Sequence, residues 1–477
     1  MKKGDICEAV IEKYDFPNKG SFTCGDRKVT VKGALCGQKI KYMVTKRKSG
    51  MAEGRLLEVL EKSPLEDAVP KCPHFGQCGG CAYQTLSYQN QLKLKEEMVK
   101  NLLDKAIGNK CPDYKWEGII GSPVVDGYRN KMEFTFGDEY KDGPLALGLH
   151  KKGSFHDILH VNGCQIIGAD WRKILEFTQE FFRAKGVPFY HRMSHKGVLR
   201  NLVVRQSYAT GEFLVNLVAA DQWNEYGIDR ESVLARYVEG LVELSNHADF
   251  EGKIAGILYT NNNTLGDVVL CEAMECLYGK DSIVEEILGL RFKISPFSFF
   301  QTNTKGCEVL YTKAREYIMS TGIMADGSST TGKVVFDLYS GTGTIAQMMA
   351  GSAEKVIGIE IVEEAVDAAR ENAKLNGLDN CEFIAGDVLK AIDLTTDKPD
   401  LIIVDPPRDG INPKALEKIL AFNVNEIVYI SCKPTSLARD LEMITDRGYE
   451  VKRACCVDQF PGTGHVESVV LITRKDK

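Results

Sequence analysis

The final third of the chain alternates short apolar runs with segments whose apolar residues recur at helical spacing. Five runs, at 334–338, 355–359, 381–384, 401–404 and 426–431, have the length and β-branched content of buried strands. Two more strand-like runs follow at 449–456 and 468–473. This alternation predicts an α/β fold whose Rossmann-like, doubly wound sheet carries helices on both faces and closes with a hairpin.

The first 290 residues have a different pattern. Between residues 5 and 60, short β-type runs alternate with Gly, Asn and Asp turns, which predicts a small OB-like β-barrel. An amphipathic helix is predicted at about 86–107, and the strand-rich segment that follows predicts an α+β central domain. We divide the chain into three domains: 1–62, 63–290 and 291–477.

The composition, with 44% apolar and 26% charged residues, is that of an ordinary globular protein. No apolar run approaches the roughly 18 residues that span a bilayer, and the amino terminus lacks the apolar core of a signal peptide. We therefore expect a cytoplasmic protein with no membrane partner. Separately, we expect it to be a monomer. In that reducing compartment the 15 cysteines serve metal binding, catalysis or packing rather than disulfides.

The net charge of -6 conceals a basic amino-terminal module. Residues 1–62 carry 14 Lys and Arg against 8 Asp and Glu, and a basic loop lies at 45–50. Two further Arg-containing segments occur at 128–131 and 199–205. Local positive charge favours a nucleic-acid partner because phosphate attraction is screened within about 8 to 10 Å in cellular salt. Solvated hairpin tips and strand edges are the alternative interpretation of these segments.

Three cysteines, Cys72, Cys78 and Cys81, lie in a short Gly-rich loop. Thiolates brought together in such a loop repel one another unless they share a cation, so the spacing indicates a metal site. Zinc would require a nearby second pair or a His, and His74 is awkwardly placed inside the loop. An iron–sulfur cluster accepts a remote fourth ligand, for which Cys164, after a strand-like run and a Gly, is the best candidate.

Strand ends in the final domain carry residues suited to a nucleoside. A Gly turn at 341–343 opens a helix, and Glu360 ends the next strand, where a carboxylate can accept both ribose hydroxyls. These two features leave a dinucleotide and S-adenosylmethionine open. Asp387 follows the third strand, and Asp405 begins an Asp-Pro-Pro-Arg turn after the fourth. Acid-Pro-Pro at that position is typical of methyltransferases.

Cys432 stands at the carboxyl end of the strand-like run 427–431. A buried free cysteine is usually a small apolar side chain, so this position alone does not establish reactivity. Lys433, its neighbour, could favour the thiolate.

Several motifs occur in one order along nearly the whole chain and together resemble the RNA uridine C5-methyltransferases of the RumA/RlmD and TrmA type. They are the three-cysteine loop, Ser298-Phe-Phe-Gln-Thr-Asn303, Asp337-Leu-Tyr-Ser-Gly-x-Gly343, Asp405-Pro-Pro-Arg408, Ser431-Cys-Lys433 and Gly464-His-Val-Glu-Ser468. Two residues depart from the family pattern: Ser340 replaces a frequent Cys, and Phe22 interrupts a Gly-x-Gly turn.

The resemblance implies a set of roles. The N-terminal part resembles a TRAM domain, and Cys72, Cys78, Cys81 and Cys164 resemble the four-thiolate [4Fe-4S] site of the ribosomal-RNA branch. Contacts to S-adenosylmethionine are implied for Gln301, Tyr339, Glu360, Asp387 and Asp405. Cys432 would be the nucleophile and Glu467 the base. The implied substrate is a uridine of 23S ribosomal RNA, flipped out of a loop or bulge.

The chemistry fits these roles. Uracil C5 is a weak nucleophile until a thiolate adds at C6, and a base must later remove the C5 proton. His465 is a rival for that base. Three alternative functions remain at this level: a transfer-RNA uridine methyltransferase, a nicotinamide-dependent dehydrogenase, and a non-catalytic RNA-binding protein of ribosome assembly.

Overall fold

The computed structural model describes residues 2–154, 156–266, 268–320 and 332–475. A linker-like Gly, Ser and Thr stretch is predicted at 326–333, and its residues 326–331 lie outside the described ranges. Among the helices in those ranges, none is both long and apolar enough to cross a bilayer.

The N-terminal module is a six-stranded sheet in the order β1-β5-β6-β4-β3-β2. Its strands are Ile6–Val10 (β1), Lys13–Asp15 (β2), Lys19–Cys24 (β3), Arg27–Lys32 (β4), Lys39–Lys48 (β5) and Met51–Glu61 (β6). Val29, Val31, Ile40 and Tyr42 alternate toward the inner face and are buried. The expected small β module is confirmed, and the exposed basic segment 46–50 forms the tip of the β5–β6 hairpin.

The central region is built on a seven-stranded sheet in the order β10-β9-β8-β11-β12-β13-β14, with two long helices packed on it. Elements from residue 88 onward are Tyr88–Ile107 (α1), Lys115–Ile120 (β7), Lys131–Asp138 (β8), Leu145–His150 (β9), Ile158–Leu159 (β10), Ala169–Lys185 (α2), Leu199–Gln206 (β11), Glu212–Ala219 (β12), Arg230–Ser245 (α3), Lys253–Asn261 (β13) and Ala273–Gly279 (β14). A short 3-10 turn lies at Trp223–Tyr226. The expected α+β architecture is confirmed.

The C-terminal region is the predicted doubly wound sheet. After the hairpin Ile283–Ile287 (β15) and Leu290–Ile294 (β16) and the helix Thr304–Ser320 (α4), it contains Val334–Leu338 (β17), Thr344–Ala350 (α5), Lys355–Glu360 (β18), Glu363–Leu375 (α6), Cys381–Ala385 (β19), Val388–Ala391 (α7), Leu401–Val404 (β20), Pro413–Ala421 (α8), Glu426–Ser431 (β21), Pro434–Asp446 (α9), Tyr449–Val457 (β22) and Glu467–Arg474 (β23). The order is β19-β18-β17-β20-β21-β23-β22-β7, with β17 to β21 parallel and β23 antiparallel to both neighbours.

Two earlier elements complete this C-terminal layer. Strand β7 pairs in parallel with β22 at the sheet edge, although it lies 330 or so residues upstream in the chain. Helix α1 buries Val99, Leu103 and Ile107 in the same apolar core as α9. The pattern predicted the helix but not the sheet that β7 would join, because an isolated six-residue strand carries no record of its partner. The domain boundaries at 62 and 290 remain a prediction.

Candidate active site

The carboxyl ends of the parallel strands lie side by side and carry most of the predicted site residues. Leu338 is in register with Ile359 and with Val404, and Val404 is in register with Tyr429. The side chains that follow these pairs therefore form one row along the sheet edge, as expected at a topological switch point. The row contains Asp387 after β19, Glu360 at the end of β18, Tyr339 after β17, Asp405 after β20 and Cys432 after β21.

Glu360 organises the glycine turn. Its Oε2 accepts a hydrogen bond of 3.0 Å from the Gly341 amide, and its Oε1 accepts one of 3.0 Å from the Val362 amide. Gly341 and Gly343 have φ of 53° and 73°, and a Cβ on Gly343 would lie 2.6 Å from the Phe383 ring. Only glycine fits this turn at position 343, so its backbone can come close to a ligand.

Tyr339 and Asp387 form the outer part of the row. Tyr339 has a positive φ of 67°, which turns the chain sharply after β17. The pKa of Tyr339 is raised to about 12, mainly by burial and to a smaller extent by the nearby carboxylates of Asp387 and Asp440. Asp387 caps α7, because its Oδ1 accepts a 2.9 Å hydrogen bond from the Leu389 amide.

Gln301 approaches the row from the segment before α4. Its backbone oxygen accepts a 2.9 Å hydrogen bond from Asn130 Nδ2, and its side-chain Oε1 accepts one of 2.9 Å from Gln459 Nε2. Phe299 lies in the same segment, and its backbone oxygen accepts a 3.4 Å hydrogen bond from Thr342 Oγ1 of the glycine turn. The segment containing Gln301 is therefore fixed against both the central sheet and the glycine turn.

Cys432 and Glu467 meet where β21 ends and β23 begins. Ser431 and Ser468 are the last registered pair of these antiparallel strands, so the next residue outward on each strand is Cys432 on one side and Glu467 on the other. Glu467 is buried, with 4% of its surface exposed, and Cys432 is partly buried. The two side chains lie close enough for the Glu467 carboxylate to act electrostatically on the Cys432 thiol.

The electrostatics of this pair follow from burial and from Asp405. Burial raises the pKa of Glu467 to about 8, and the Asp405 carboxylate adds to that rise. Burial also raises the pKa of the Cys432 thiol to about 11, with Glu467 and Asp405 acting in the same direction. The pKa of Asp405 itself rises to about 7 through burial. Three acidic groups thus share one poorly solvated site and resist being charged together.

Arg408 supplies the opposing positive charge. It lowers the pKa of both Cys432 and Glu467, against the dominant effect of burial. Lys433, which the sequence suggested for this role, instead has its Nζ 3.9 Å from Asp409 Oδ1. Arg408 was visible in the Asp-Pro-Pro-Arg motif, but only the folded loop shows which side chains it acts on.

His465 is poorly suited to be the base. Burial lowers its pKa to about 4, and the cations Arg408, Lys95 and Arg129 also lower it. Its ring lies beside Arg408, with His465 Nδ1 3.3 Å from Arg408 Nη2. Glu467, with its raised pKa, is the stronger proton acceptor of the two.

The segment 458–466 joins β22 to β23 and leads directly to Glu467. It is held by contacts with residues from other parts of the fold. Asp458 forms a fully buried ion pair of 2.7 Å with Lys95 of α1, and Lys95 also donates to the Phe460 backbone oxygen at 3.2 Å. Tyr128 donates its hydroxyl to the Pro461 oxygen at 3.0 Å. These contacts fix the approach to Glu467.

Gly462 connects the same segment to the cysteine loop. Its backbone oxygen accepts hydrogen bonds from the amides of Ala82 and Tyr83 at 2.7 and 3.1 Å. A Cβ built on Gly462 would lie 3.7 Å from Cys81 Sγ. The cysteine loop is therefore in direct contact with the segment that positions Glu467.

The four predicted cysteine ligands come from two segments that pack together. A Cβ on Gly163 would lie 2.5 Å from the Pro73 ring, so the turn before Cys164 lies against the residue after Cys72. The Gly163 amide also donates to His74 Nε2 at 3.1 Å, which engages that imidazole within the loop. Cys72 and Cys164 are buried, and Cys78 and Cys81 are partly buried.

The thiols of Cys72, Cys78 and Cys81 act electrostatically on that of Cys164. Burial raises the pKa of Cys164 to about 12, with contributions from Cys81, Cys72 and Cys78. Within the described part of the chain, no set of three or more His, Cys, Asp or Glu side chains has the arrangement of a metal site. The chemistry of four neighbouring thiols suits iron, whereas their present spacing does not itself define a bound metal.

Comparisons with known proteins agree with this geometry. The family model for tRNA (uracil-5-)-methyltransferase matches residues 290–475. An uncharacterized RNA methyltransferase of Caldanaerobacter subterraneus subsp. tengcongensis is 48% identical to this chain over 99% of this chain and 100% of its own length. An uncharacterized RNA methyltransferase of Clostridium tetani is 46% identical over 100% of this chain and 99% of its own length.

A solved structure matches over the full length as well. The crystal structure of Pyrococcus abyssi tRNA (uracil-54, C5)-methyltransferase in complex with S-adenosyl-L-homocysteine has a TM-score of 0.73 and 25% sequence identity, covering 98% of this chain and 100% of that one. The family resemblance of the sequence motifs is thereby confirmed, and the choice left open by the glycine turn falls to S-adenosylmethionine over a dinucleotide. The chain belongs to the RNA uracil-5-methyltransferases that use S-adenosylmethionine as methyl donor.

Proposed function

We propose that this enzyme methylates C5 of a uridine in 23S ribosomal RNA through a covalent adduct between Cys432 and uracil C6. The observation that carries the mechanism is that Cys432 and Glu467 face each other one position beyond Ser431 and Ser468, the last registered pair of β21 and β23. The ribosomal substrate is supported by the basic N-terminal sheet and the four-cysteine site, which resemble those of the ribosomal-RNA branch. The flipped uridine would come from a loop or bulge, where unstacking costs least.

Each step has a residue to perform it. The Cys432 thiolate forms a bond to C6, and the ring electrons move to make C5 nucleophilic. S-adenosylmethionine supplies the methyl group to C5 and leaves as the neutral thioether. Glu467 then takes the C5 proton, and the C6–sulfur bond breaks to return the Cys432 thiolate and an aromatic ring. Arg408 offsets the negative charge that passes between these groups.

The methyl donor would be bound by Gln301, Tyr339, Glu360, Asp387 and Asp405. Each Glu360 oxygen already accepts one backbone amide, and a carboxylate oxygen has a further lone pair for a ribose hydroxyl. Asp387 lies beside Tyr339 at the outer end of the row, where it could accept from the adenine amine. Asp405 lies on the side nearer Cys432, and Gln301 lies beside Tyr311, on which Asp405 also acts.

We also propose that Cys72, Cys78, Cys81 and Cys164 hold a [4Fe-4S] cluster. The support is the close packing of the two cysteine segments and the mutual influence of their thiols. Methyl transfer from a sulfonium consumes no electrons, so a structural role fits better than a redox role. Contact between Cys81 and Gly462 would let the cluster stabilise the segment that ends at Glu467.

RNA would be held by the N-terminal sheet, which we propose is a TRAM-like module. Tyr14 on β2 donates its hydroxyl to Asn18 Oδ1 at 2.6 Å, and its Oη lies within hydrogen-bond distance, 3.0 Å, of the Tyr83 hydroxyl next to the cysteine loop. A Cβ on Gly464 would lie 3.8 Å from Asn18 Cβ, so this sheet reaches the segment beside Glu467. RNA bound by its basic surface would therefore lie near the reacting groups. We propose that the enzyme acts as a monomer.

Transfer RNA is the second candidate substrate, because the solved enzyme from Pyrococcus abyssi, which this chain matches over that enzyme's full length, is a tRNA methyltransferase. Mass-spectrometric mapping of 5-methyluridine in RNA from a strain lacking the protein distinguishes the two. We expect the modification to disappear from 23S ribosomal RNA and to return when the wild-type gene is restored. Loss from transfer RNA alone would transfer the assignment to that substrate.

A further inference from the structure

Gln459 is a fully buried glutamine, 0% exposed, on the segment between β22 and β23. Its backbone oxygen accepts a 2.7 Å hydrogen bond from Asn303 Nδ2, which fixes its position against the start of α4. Its side-chain Nε2 donates to Gln301 Oε1 at 2.9 Å. Gln459 lies outside the motifs that resemble those of the uridine C5-methyltransferases.

The hydrogen bond from Gln459 fixes the orientation of the Gln301 side-chain amide. An amide group has one accepting oxygen and one nitrogen with two donors. Since Gln459 Nε2 engages the Gln301 oxygen, the amide plane of Gln301 is set, and its nitrogen is directed elsewhere. One N–H of the Gln301 amide is directed at the Tyr311 hydroxyl on α4. This hydrogen bond lowers the pKa of Tyr311, although burial raises that pKa overall.

The side-chain oxygen of Gln459 is the second polar atom of its amide. Gln459 Oε1 is buried and has no hydrogen-bond partner among the described residues. A buried polar group without a partner is destabilising, so an apolar side chain of similar size would be more favourable for stability alone. A glutamine at this position is better explained by what its nitrogen does for Gln301 than by packing.

We propose that Gln459 is a positioning residue for the methyl donor: it holds the Gln301 amide so that the N–H group not directed at Tyr311 is available to an acceptor oxygen of S-adenosylmethionine. This inference rests on the donor-binding role given to Gln301 under the proposed function. Gln459 touches Gln301 and not the reacting atoms. Its effect should therefore appear in donor affinity and leave the chemical step unaltered.

The test is a double-mutant cycle on the full-length protein, with S-adenosylmethionine binding measured by calorimetry. Replacing Gln459→Met removes the donor but keeps the volume, and should weaken S-adenosylmethionine binding roughly three- to tenfold, the value of one hydrogen bond. Gln301→Met should weaken binding at least as much. The double variant should lose no more than Gln301→Met alone, because Gln459 acts through Gln301.

Kinetics separate positioning from a general structural effect. In Gln459→Met, KM for S-adenosylmethionine should rise by the same factor, while kcat and KM for RNA stay near wild-type values. Gln459→Asn is a second variant that keeps an amide but is one methylene too short to reach Gln301, so it should show the same loss. Gln179→Met is the matched control, since Gln179 is a buried glutamine of α2 whose Oε1 accepts from the Leu147 amide.

Two results would overturn the proposal: wild-type donor affinity in both Gln459 variants, or losses that multiply in the double variant. In either case a loss in Gln301→Met would leave the proposed function intact. Wild-type affinity in Gln301→Met would instead refute the donor-binding role of Gln301 and, with it, the route through which Gln459 acts. The binding measurement needs no RNA, so failure to methylate a particular RNA does not enter the outcome.

Discussion

Cys432 and Glu467 lie opposite each other one position beyond the Ser431–Ser468 pair, which is the last registered pair of strands β21 and β23. The two residues are 35 positions apart in the sequence, and an antiparallel pairing inside an otherwise parallel sheet brings them together. Because β23 enters the sheet in the opposite direction to β21, its first residue meets the edge where the parallel strands end. This reversal lets a strand start contribute to a site otherwise built from strand ends.

The first prediction concerns the covalent intermediate. Cys432→Ala should abolish both methyl transfer and any covalent RNA complex, because no other group in the scheme adds to C6. Glu467→Gln should still form the adduct and transfer the methyl group but release the product at least a hundredfold more slowly, following the usual contribution of a general base. Denaturing electrophoresis with labelled RNA and labelled methyl groups measures both effects.

Cys276→Ala is the control for that experiment, since Cys276 is exposed on the edge strand β14 and should leave turnover unchanged. Retained turnover in Cys432→Ala would end the proposed mechanism. Rapid product release from Glu467→Gln would assign the C5 proton to a different base.

The second prediction is a pH shift caused by Arg408. Removing its positive charge disfavours the carboxylate and the thiolate, so the pKa values of Glu467 and Cys432 should rise. The rising limb of kcat/KM against pH in Arg408→Met should therefore move upward by about one pH unit. Arg408→Lys keeps the positive charge, so the rising limb of its pH profile should lie between those of Arg408→Met and the wild type. An unshifted profile in Arg408→Met would show that Arg408 does not act on these groups.

The third prediction concerns stability. Glu467 has a pKa of about 8 in the folded protein against an ordinary value of 4.5, so the folded state holds its proton more tightly than the unfolded state. The stability due to this proton is fully present below pH 4.5 and is lost as the pH rises to about 8. Glu467→Gln, which stays neutral, should become more stable than wild type by up to about 1.4 kcal/mol per pH unit across that window.

Urea unfolding of the two proteins at pH 5, 6, 7 and 8 measures this difference. The gap between the two urea midpoints should widen with each step of pH across these four values. A constant gap at all four values would mean that burial does not perturb Glu467 in the folded protein.

The fourth prediction tests the cysteine site. Anaerobically purified wild-type protein should be brown and contain close to four irons, and Cys164→Ala should lose most of the iron and the visible absorbance. Cys111→Ala is the matched control, because Cys111 is equally buried but lies beside the Val451 amide, away from the cysteine loop. Colourless wild-type protein with stoichiometric zinc would contradict the cluster.

Much of the fold follows from local pattern. Alternating strand and helix signals predicted the doubly wound sheet with accurate bounds, since a buried strand followed by an amphipathic helix has few other ways to fold. The same pattern predicted that Tyr339, Glu360 and Asp405 would lie at the carboxyl ends of strands, and the structure shows that these strands are neighbours. The pattern missed the strands β2 and β3, which carry mostly polar residues although they pair with each other. It also missed the pairing of β7 with β22, because the partner of β7 lies in a distant part of the chain.

By itself, the sequence determined which residues end each strand and, through its motifs, the family to which the chain is similar. Only the tertiary structure decided the properties of the site: the pKa of about 8 at Glu467, the action of Arg408 on Cys432, and the contact between Gln459 and Gln301. The physical reason is range. Strand and helix signals depend on residues close together in the chain, whereas desolvation and charge depend on which distant segments pack around a side chain.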